Sequence, residues 1–283
     1  MAHPRTLLVF VFLLAGALAA GCGGGGSSSS DEPAFTDTVD AETKADSLAL
    51  RLMEAHGADA FASAPYLRFN FAIETSEEEQ VVARHFWDRT TGEYRVEWQP
   101  GPDSNYVALM DVGSVEDQMP EGTVYLNGTE LTGEAGEEAR QRAYGRYIND
   151  TYWLLAPLKV YDSGVNRNYA ADSSTTDHEV LRLTFGDVGL TPDDTYWFYV
   201  STETGRLDRW SMRLQNMPED AAPRAYDWTD HVTLDAPAGE VTLARRHEAV
   251  GEDQAILTNQ LALPSSPPSG VFSTPTPMLS ADE

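Results

Sequence analysis

The most reactive side chain of this sequence is the thiol of Cys22, the only cysteine among 283 residues. A thiolate is a nucleophile that can take up an alkyl or acyl group. Cys22 follows the small residues 19–21, which close an apolar run from Leu7 to Ala20. A run of this length is too short for a membrane span and matches the apolar core of a secretory signal peptide. The chemistry indicated at Cys22 is therefore modification during export.

Residues 18–22 resemble the bacterial lipobox, in which small residues admit a peptidase and the cysteine is lipidated before cleavage. Ala19 stands where that pattern prefers leucine. The sequence predicts a lipoprotein signal peptide over residues 1–21 and lipidation of Cys22, with an ordinary signal peptide and an incidental cysteine as the alternative. Because the stretch 22–39 is rich in Gly and Ser, we expect it to be a flexible tether between a membrane and the folded domain.

The residue after the cysteine indicates which membrane holds the protein. Gly23 occupies the position at which bacterial sorting rules place an aspartate for retention in the inner membrane. The sequence therefore predicts a lipid-anchored protein of the cell envelope, held at the outer membrane and facing either the periplasm or the cell surface.

The net charge of the chain limits the kinds of partner that we expect. It has 45 acidic and 19 basic residues, a formal net charge of -26, so nucleic acid is excluded as an expected partner. Lysine occurs only at Lys44 and Lys159. An acidic, lysine-poor surface is typical of proteins from halophilic organisms, in which salt screens the repulsion between carboxylates. An acidic exported protein is the alternative interpretation.

Motifs of catalysis and metal binding are absent from the sequence: a Gly-rich phosphate loop, a His-Glu-x-x-His zinc helix, a Gly-x-Ser-x-Gly elbow and an EF-hand loop. The histidines of the domain are scattered, at His56, His85, His178, His231 and His247. The pair His178-Glu179 alone cannot form a metal site. We expect no catalytic residue, no metal and no cofactor, and structural or surface roles for the histidines.

Hydrophobic periodicity predicts one domain over residues 40–263. A helix is expected from the N-cap Asp40 to His56, and a second one over 135–152, followed by an apolar loop at 153–158. Apolar and polar residues alternate in ten expected strands: 67–74, 80–89, 93–98, 106–112, 123–127, 179–185, 195–201, 206–214, 225–234 and 240–247. The Pro- and Ser-rich end, 264–283, has the composition of a disordered tail.

The segment 149–160, with Asp162 and Gly164, and the segment 202–210 resemble a family of bacterial lipoproteins that is similar in turn to the LolA and LolB lipoprotein-sorting proteins. The resemblance extends over most of residues 41–247. It implies a mainly β fold (α+β), in which a curved antiparallel sheet forms an incomplete β-barrel with helices packed across its open side. It also implies an apolar cavity that receives acyl chains, and no enzymatic activity.

On this interpretation, the partner is a lipid or an acylated protein. The expected acyl-contacting residues are Leu67, Phe69, Phe71, Tyr94, Val96, Trp98, Trp153, Leu154, Leu155, Leu158, Phe185, Phe198 and Trp210. Two other functions stay open. One is an envelope interaction or scaffold protein with a filled barrel core, and the other is a hydrolase that uses a pair of carboxylates.

The lipobox interpretation is tested by Cys22→Ser in the full chain. Because serine lacks the thiol that is acylated, we expect incorporation of a fatty-acid probe to be abolished, leaving unprocessed precursor or unanchored protein. Metabolic labelling followed by membrane fractionation measures both. Labelling of the Ser variant equal to that of the wild type would exclude Cys22 as the lipidated residue.

Overall fold

The computed structural model describes residues 43–76, 78–113, 119–186, 191–218 and 220–279. The predicted signal peptide, Cys22, the tether and the expected N-cap Asp40 lie outside these residues. The helices are α1 (Lys44–His56), α2 (Ala58–Ser63) and α3 (Gly133–Leu155). The strands are β1 (Tyr66–Thr75), β2 (Glu79–Asp88), β3 (Glu93–Trp98), β4 (Tyr106–Asp111), β5 (Glu121–Leu126), β6 (Thr129–Glu130), β7 (Val165–Tyr169), β8 (His178–Phe185), β9 (Thr195–Ser201), β10 (Leu207–Arg213), β11 (Arg224–Ala236), β12 (Gly239–Ala249) and β13 (Gln254–Ala262).

All of these strands belong to one antiparallel sheet, in the order β6-β5-β4-β3-β2-β1-β13-β12-β11-β10-β9-β8-β7. The first half of the chain builds one meander, the second half builds another, and β13 returns to pair with β1. The edge strands β6 and β7 are not paired with each other in the described sheet, which is therefore open. The predicted mainly β fold with an incomplete barrel is confirmed.

Three strands were not predicted: β6, β7 and β13. Strand β6 has only two residues, and β7 reads Val-Asn-Arg-Asn-Tyr, in which two asparagines disfavour a strand. Pairing of β7 with β8 over residues 165–169 supplies the hydrogen bonds that its local sequence does not encourage. Pairing with neighbouring strands, and not the local sequence, therefore determines that these segments are strands.

Helix α3 makes the connection between the two edges of the sheet. It follows β6 at one edge and leads to β7 at the other, so it crosses a face of the sheet. It contacts β3 and β5 on one side and β12 farther along. The helix ends at Leu155, and a 3-10 turn follows at 156–158. The apolar loop predicted at 153–158 was wrong, because residues 153–155 continue the helix and Pro157 ends it only afterwards.

Helix α1 begins three residues later than the Asp40 cap predicts. The hydroxyl of Thr43 accepts the N–H of Asp46 at 3.1 Å and is the N-cap. At the other end Gly57 has φ +75°, and a Cβ there would lie 2.1 Å from the carbonyl oxygen of Glu240. Glycine is therefore required for the backbone angle and for the close approach of α1 to β12.

The largest hydrophobic cluster, called the main cluster below, lies between one face of the sheet and the helices. Its helical members include Leu48, Ala49, Leu52, Met53, Phe61, Trp153, Leu154 and Leu155, and its strand members include Leu67, Phe69, Phe71, Leu181, Leu183, Phe198, Val200, Leu207, Trp210, Met212, Trp228, Val241 and Leu243. A second cluster lies under the first half of α3: Ala83, Tyr94, Val96, Trp98, Ala108, Met110, Val124, Ala139 and Ala143. In the described part of the chain, no helix is both long and apolar enough to cross a bilayer.

The carboxyl-terminal segment is folded against the sheet, as far as residue 279. Val271 and Leu279 are buried against Phe86 of β2. Composition indicated a disordered tail over 264–283, and residues 264–279 differ from that expectation. Apolar side chains and a buried ion pair on β3 fix them to the sheet.

That ion pair is Arg95–Glu97, 2.6 Å apart and almost fully buried. The guanidinium of Arg95 also donates to the carbonyl oxygens of residues 271, 274 and 276. The carboxylate of Glu97 accepts the N–H groups of residues 278 and 279. The ion pair thus supplies hydrogen-bond partners to the main chain of the tail. The tail in turn supplies hydrogen-bond partners to both buried charges.

We expect Arg95→Leu to lower the free energy of unfolding by about 3 to 5 kcal/mol, because the buried carboxylate of Glu97 loses its cationic partner and three main-chain carbonyl groups lose their donor. The double change Arg95→Leu with Glu97→Leu should recover part of this loss. Arg209→Leu is the control, because its pair with Asp227 is partly exposed and contributes less than about 1 kcal/mol. Urea unfolding measures all three. A loss below about 1 kcal/mol for Arg95→Leu would contradict the structural role of the pair.

Candidate ligand site between the sheet and the helices

The structure divides the thirteen predicted acyl-contacting residues between the two clusters. Ten lie in or against the main cluster: Leu67, Phe69, Phe71, Trp153, Leu154, Leu155, Leu158, Phe185, Phe198 and Trp210. The other three, Tyr94, Val96 and Trp98, face the first half of α3 in the second cluster. Leu158 and Phe185 are half-buried, and the other eleven are buried.

Side chains of the helices occupy the space beside these residues. Leu48, Leu52 and Met53 of α1 pack into the main cluster from above the sheet. The described conformation is therefore closed, with α1 and the end of α3 forming a cover over the apolar face. Two cavities of about 240 and 380 Å³ lie outside the main cluster, against β3 to β6, and their walls contain carboxylates. Tyr94 is the one of these thirteen residues that lines them.

The last residue of α1, His56, attaches this helix to two strands. Its Nδ1–H donates to the carbonyl oxygen of Thr242 on β12 at 2.7 Å. Its Nε2 accepts the N–H of Leu207 on β10 at 3.2 Å. Burial lowers the pKa of His56 to about 3, and the neighbouring His231 and Arg206 act in the same direction. The neutral ring therefore uses both nitrogens to hold α1 down.

A second polar contact attaches α3. The hydroxyl of Tyr94 donates to Nδ1 of His85 at 2.6 Å, and Nε2–H of His85 donates to the carboxylate of Asp150 on α3 at 3.1 Å. The side-chain amide of Asn149 donates to the other oxygen of Asp150 at 2.8 Å. Burial lowers the pKa of His85, which stacks on Phe69 with ring centroids 4.4 Å apart. This chain of hydrogen bonds joins α3 to β2 and β3.

Sequence reasoning assigned the histidines structural or surface roles but did not identify these two contacts. His56 follows an apolar helical pattern, and His85 lies on the inward face of a strand. Their partners Thr242 and Asp150 are 186 and 65 residues away in the chain. Only the sheet register brings them together, so no local signal predicts the pairs.

Aromatic rings surround Trp153, at the end of α3. Its ring centroid lies 4.7 Å from those of Trp210 and Tyr226, and 5.5 Å from that of His247. Trp228 continues the group at 4.3 Å from His247. Sequence analysis identified Trp153 and Trp210, but not the strand β11 and β12 residues that complete the group. These large rings form an apolar wall of the main cluster that carries a few polar atoms.

The buried carboxylates of the described residues each have their own polar partners. Four carboxylates are buried in the described residues: Asp88, Glu97, Asp150 and Asp194. Each has separate partners: Asp88 accepts from residues 90 and 91, Glu97 pairs with Arg95, Asp150 pairs with His85, and Asp194 accepts from the N–H of residue 215 and the hydroxyl of residue 196. Within the same residues, no group of three metal-ligating side chains occurs. The Tyr94–His85–Asp150 chain is closed to solvent at both ends.

No family model matches the chain, and no curated protein sequence matches it. Solved structures that resemble it include a DUF1329 family protein from Desulfovibrio piger, with 12% identity, 80% of this chain and 94% of that chain covered, and a TM-score of 0.44. A LolA superfamily protein from Nitrosomonas europaea has 13% identity, 82% and 98% coverage, and a TM-score of 0.41. A domain named for outer membrane lipoprotein sorting, from Vibrio parahaemolyticus, has 8% identity, 80% and 95% coverage, and a TM-score of 0.38.

Burial of neutral histidines makes stability depend on pH. The pKa values of His56 and His247 fall from 6.5 to about 3 on folding, mainly through burial. The unfolded chain therefore binds more protons below pH 6.5. The stability that the two neutral rings contribute is present in full above pH 6.5, and it is lost as the pH falls toward 3. The expected slope between pH 6 and 5 is on the order of 1 kcal/mol per pH unit for each histidine.

Urea unfolding at several pH values measures this slope. We expect His56→Gln to reduce the slope by the contribution of one proton. His178→Gln is the control, because the side chain of His178 is only partly buried, beside Asp208. An equal slope in wild type and His56→Gln would contradict the assignment of a buried neutral ring to His56.

Proposed function

We propose that the protein is a non-catalytic lipoprotein of the bacterial cell envelope that binds acyl chains between its sheet and its helical cover. The supporting observation is that the main cluster is enclosed by one sheet and the three helices α1, α2 and α3, not by two sheets. Helices attached by a small number of polar contacts can separate from a sheet without breaking strand pairing. The LolA and LolB resemblance of the sequence implies the same role.

Helix α1 is the part of the cover that we propose to move. Helix α3 is connected along the chain to β6 at its start and to β7 at its end. The contact of its Asp150 with His85 also fixes it to β2. The buried polar attachment of α1 is His56, and its ion pairs to strands, such as Asp46 with Arg167, lie nearer the surface. It also makes apolar contacts to strands. Lifting α1 would expose the side of the main cluster formed by β1 and β8 to β12.

The energies are compatible with a closed resting state. Releasing His56 costs two hydrogen bonds, about 1 kcal/mol each, in addition to the apolar contacts of α1. An acyl chain contributes about 0.8 kcal/mol per buried CH₂, so seven covered CH₂ groups contribute about 6 kcal/mol. A bound chain would replace the apolar contacts that α1 gives up. We therefore expect opening to be driven by the ligand.

The second candidate function is that of an envelope interaction protein whose barrel core stays filled. The observation that favours it is the burial of Leu48, Leu52 and Met53 within the main cluster. The two functions differ in one respect that can be measured, which is whether α1 has to move. In both, the lipid on Cys22 provides the anchor, and no reaction is catalysed.

A reversible lock on α1 tests the first function. A Cβ at Gly205 would lie 3.1 Å from the Cβ of Ala55, close to the 3.5 to 4.5 Å of a disulfide. Gly205 has φ +75°, which costs a substituted residue about 1 kcal/mol of strain. We expect the full chain with Ala55→Cys and Gly205→Cys, once oxidised, to be labelled by a photoreactive monoacylglycerol in membranes at least tenfold less than after reduction.

The single variants Ala55→Cys and Gly205→Cys are the controls, and oxidation should leave their labelling unchanged. Formation of the disulfide is verified separately by mass spectrometry. Equal labelling of the locked and reduced proteins would contradict binding beneath α1. Absence of labelling in wild type and reduced variant would favour the filled-core interaction protein.

A further inference from the structure

Three inward-facing side chains form a diagonal row across neighbouring strands of the sheet. Trp210 on β10 pairs in register with Tyr226 of β11, and Trp228 lies two residues farther along β11, opposite His247 of β12. The ring centroids are 6.1 Å apart for the two tryptophans and 4.3 Å apart for Trp228 and His247. All three are at most 3% exposed. We call Trp210, Trp228 and His247 the polar row.

Each member of the polar row has a buried polar atom without a hydrogen-bond partner among the described residues. These atoms are Nε1 of Trp210, Nε1 of Trp228 and Nδ1 of His247. Both indole nitrogens are donors only. The three unpaired atoms therefore include two donors whose character is fixed by chemistry.

The character of His247 follows from its other nitrogen. The hydroxyl of Thr258 donates its proton to the carbonyl oxygen of Ala244 at 2.9 Å, so it can only accept from Nε2 of His247 at 3.4 Å. The proton of the neutral ring is then on Nε2, and Nδ1 is an acceptor. Burial lowers the pKa of His247 to about 3, which keeps the ring neutral.

Unpaired polar atoms at this depth are costly. A buried donor or acceptor without a partner has lost its hydrogen bonds to water and lowers the stability, and native interiors contain few such atoms. Here, the side chains that carry two such donors and one acceptor are neighbours on the face of the sheet that the end of α3 covers. Trp153 of α3 packs over this row, 4.7 Å from Trp210 and 5.5 Å from His247. A ligand that displaces the side chain of Trp153, with α3 itself in place, would contact the three members of the polar row.

We propose that the polar row binds the neutral carbonyl linkage of an acyl chain, with the carbonyl oxygen on the indole N–H groups of Trp210 and Trp228 and a neighbouring donor on Nδ1 of His247. This assignment rests on the proposed acyl-binding function and adds the class of ligand. An ester with a free hydroxyl beside it has these groups, and so has an N-acyl amide. A free fatty acid fits less well, because no member of the row carries the positive charge that a buried carboxylate needs.

Matched lipids test the linkage. The full chain in membrane vesicles is titrated with a photoreactive monoacylglycerol ester and with the alkyl ether of the same chain length, which keeps the hydroxyls and lacks the carbonyl. We expect the ester to reach half-maximal labelling at about one tenth of the ether concentration, the effect of roughly one hydrogen bond to a buried group. A photoreactive N-acyl glycinamide is the third probe and distinguishes an amide source from an ester source.

Variants assign the preference to the row. Trp228→Phe removes one unpaired N–H, and it should reduce the preference for ester over ether to less than about threefold. Trp153→Phe is the matched control, because its indole nitrogen is not among the buried unpaired atoms. It should change the labelling by both probes in parallel and preserve their ratio.

The wild-type comparison needs no variant to fold. Equal half-maximal concentrations of ester, ether and amide in wild type would overturn the assignment of the polar row, as would occur if buried water satisfied these atoms, and would leave acyl binding intact. A free fatty acid that binds as tightly as the ester would overturn it too. Absence of labelling by every probe would instead contradict the proposed function itself.

Discussion

Chain connectivity imposes one constraint on which the rest of the structure depends: α3 has to carry the chain from one edge of the sheet to the other. A flat sheet of 13 strands would be about 58 Å wide, whereas a helix of 23 residues is about 34 Å long. Turns occupy residues 156–164, so α3 itself spans most of the distance between the two edges of the sheet. The sheet curves to bring its edges within reach, and the curved face acquires a cover.

The same constraint separates the roles of the two long helices. Because α3 is held at both ends and through Asp150, it is a fixed part of the cover. Helix α1 fills the remaining space and is attached in the interior through His56. The convex side needs no helix, since the tail from 264 to 279 covers Arg95 and Glu97 there. Apolar burial thus stabilises the closed form, and a few polar contacts determine where the cover is attached.

Much of this fold could be predicted from the sequence where the pattern is local. Alternation of Leu67, Phe69 and Phe71 predicted β1, and helical spacing predicted α1 to its last residue, His56. What could not be predicted depends on residues far apart in the chain. The tail is ordered by a buried ion pair on β3, and β7 is a strand because β8 pairs with it. The polar row exists only once the registers of β10, β11 and β12 are set, so Trp228 and His247 had no signal in the sequence.

We propose that an acyl chain binds non-covalently beneath α1. Lipid mass spectrometry on the full chain, extracted from its native membrane with a polymer and not with detergent, tests it most directly. We expect about one acyl lipid to be retained per chain, in addition to the lipid that we predict to be covalently attached at Cys22, and to be released when the protein is unfolded in urea. Recovery of the covalent lipid alone, with no further acyl chain above the level of the surrounding membrane, would contradict it.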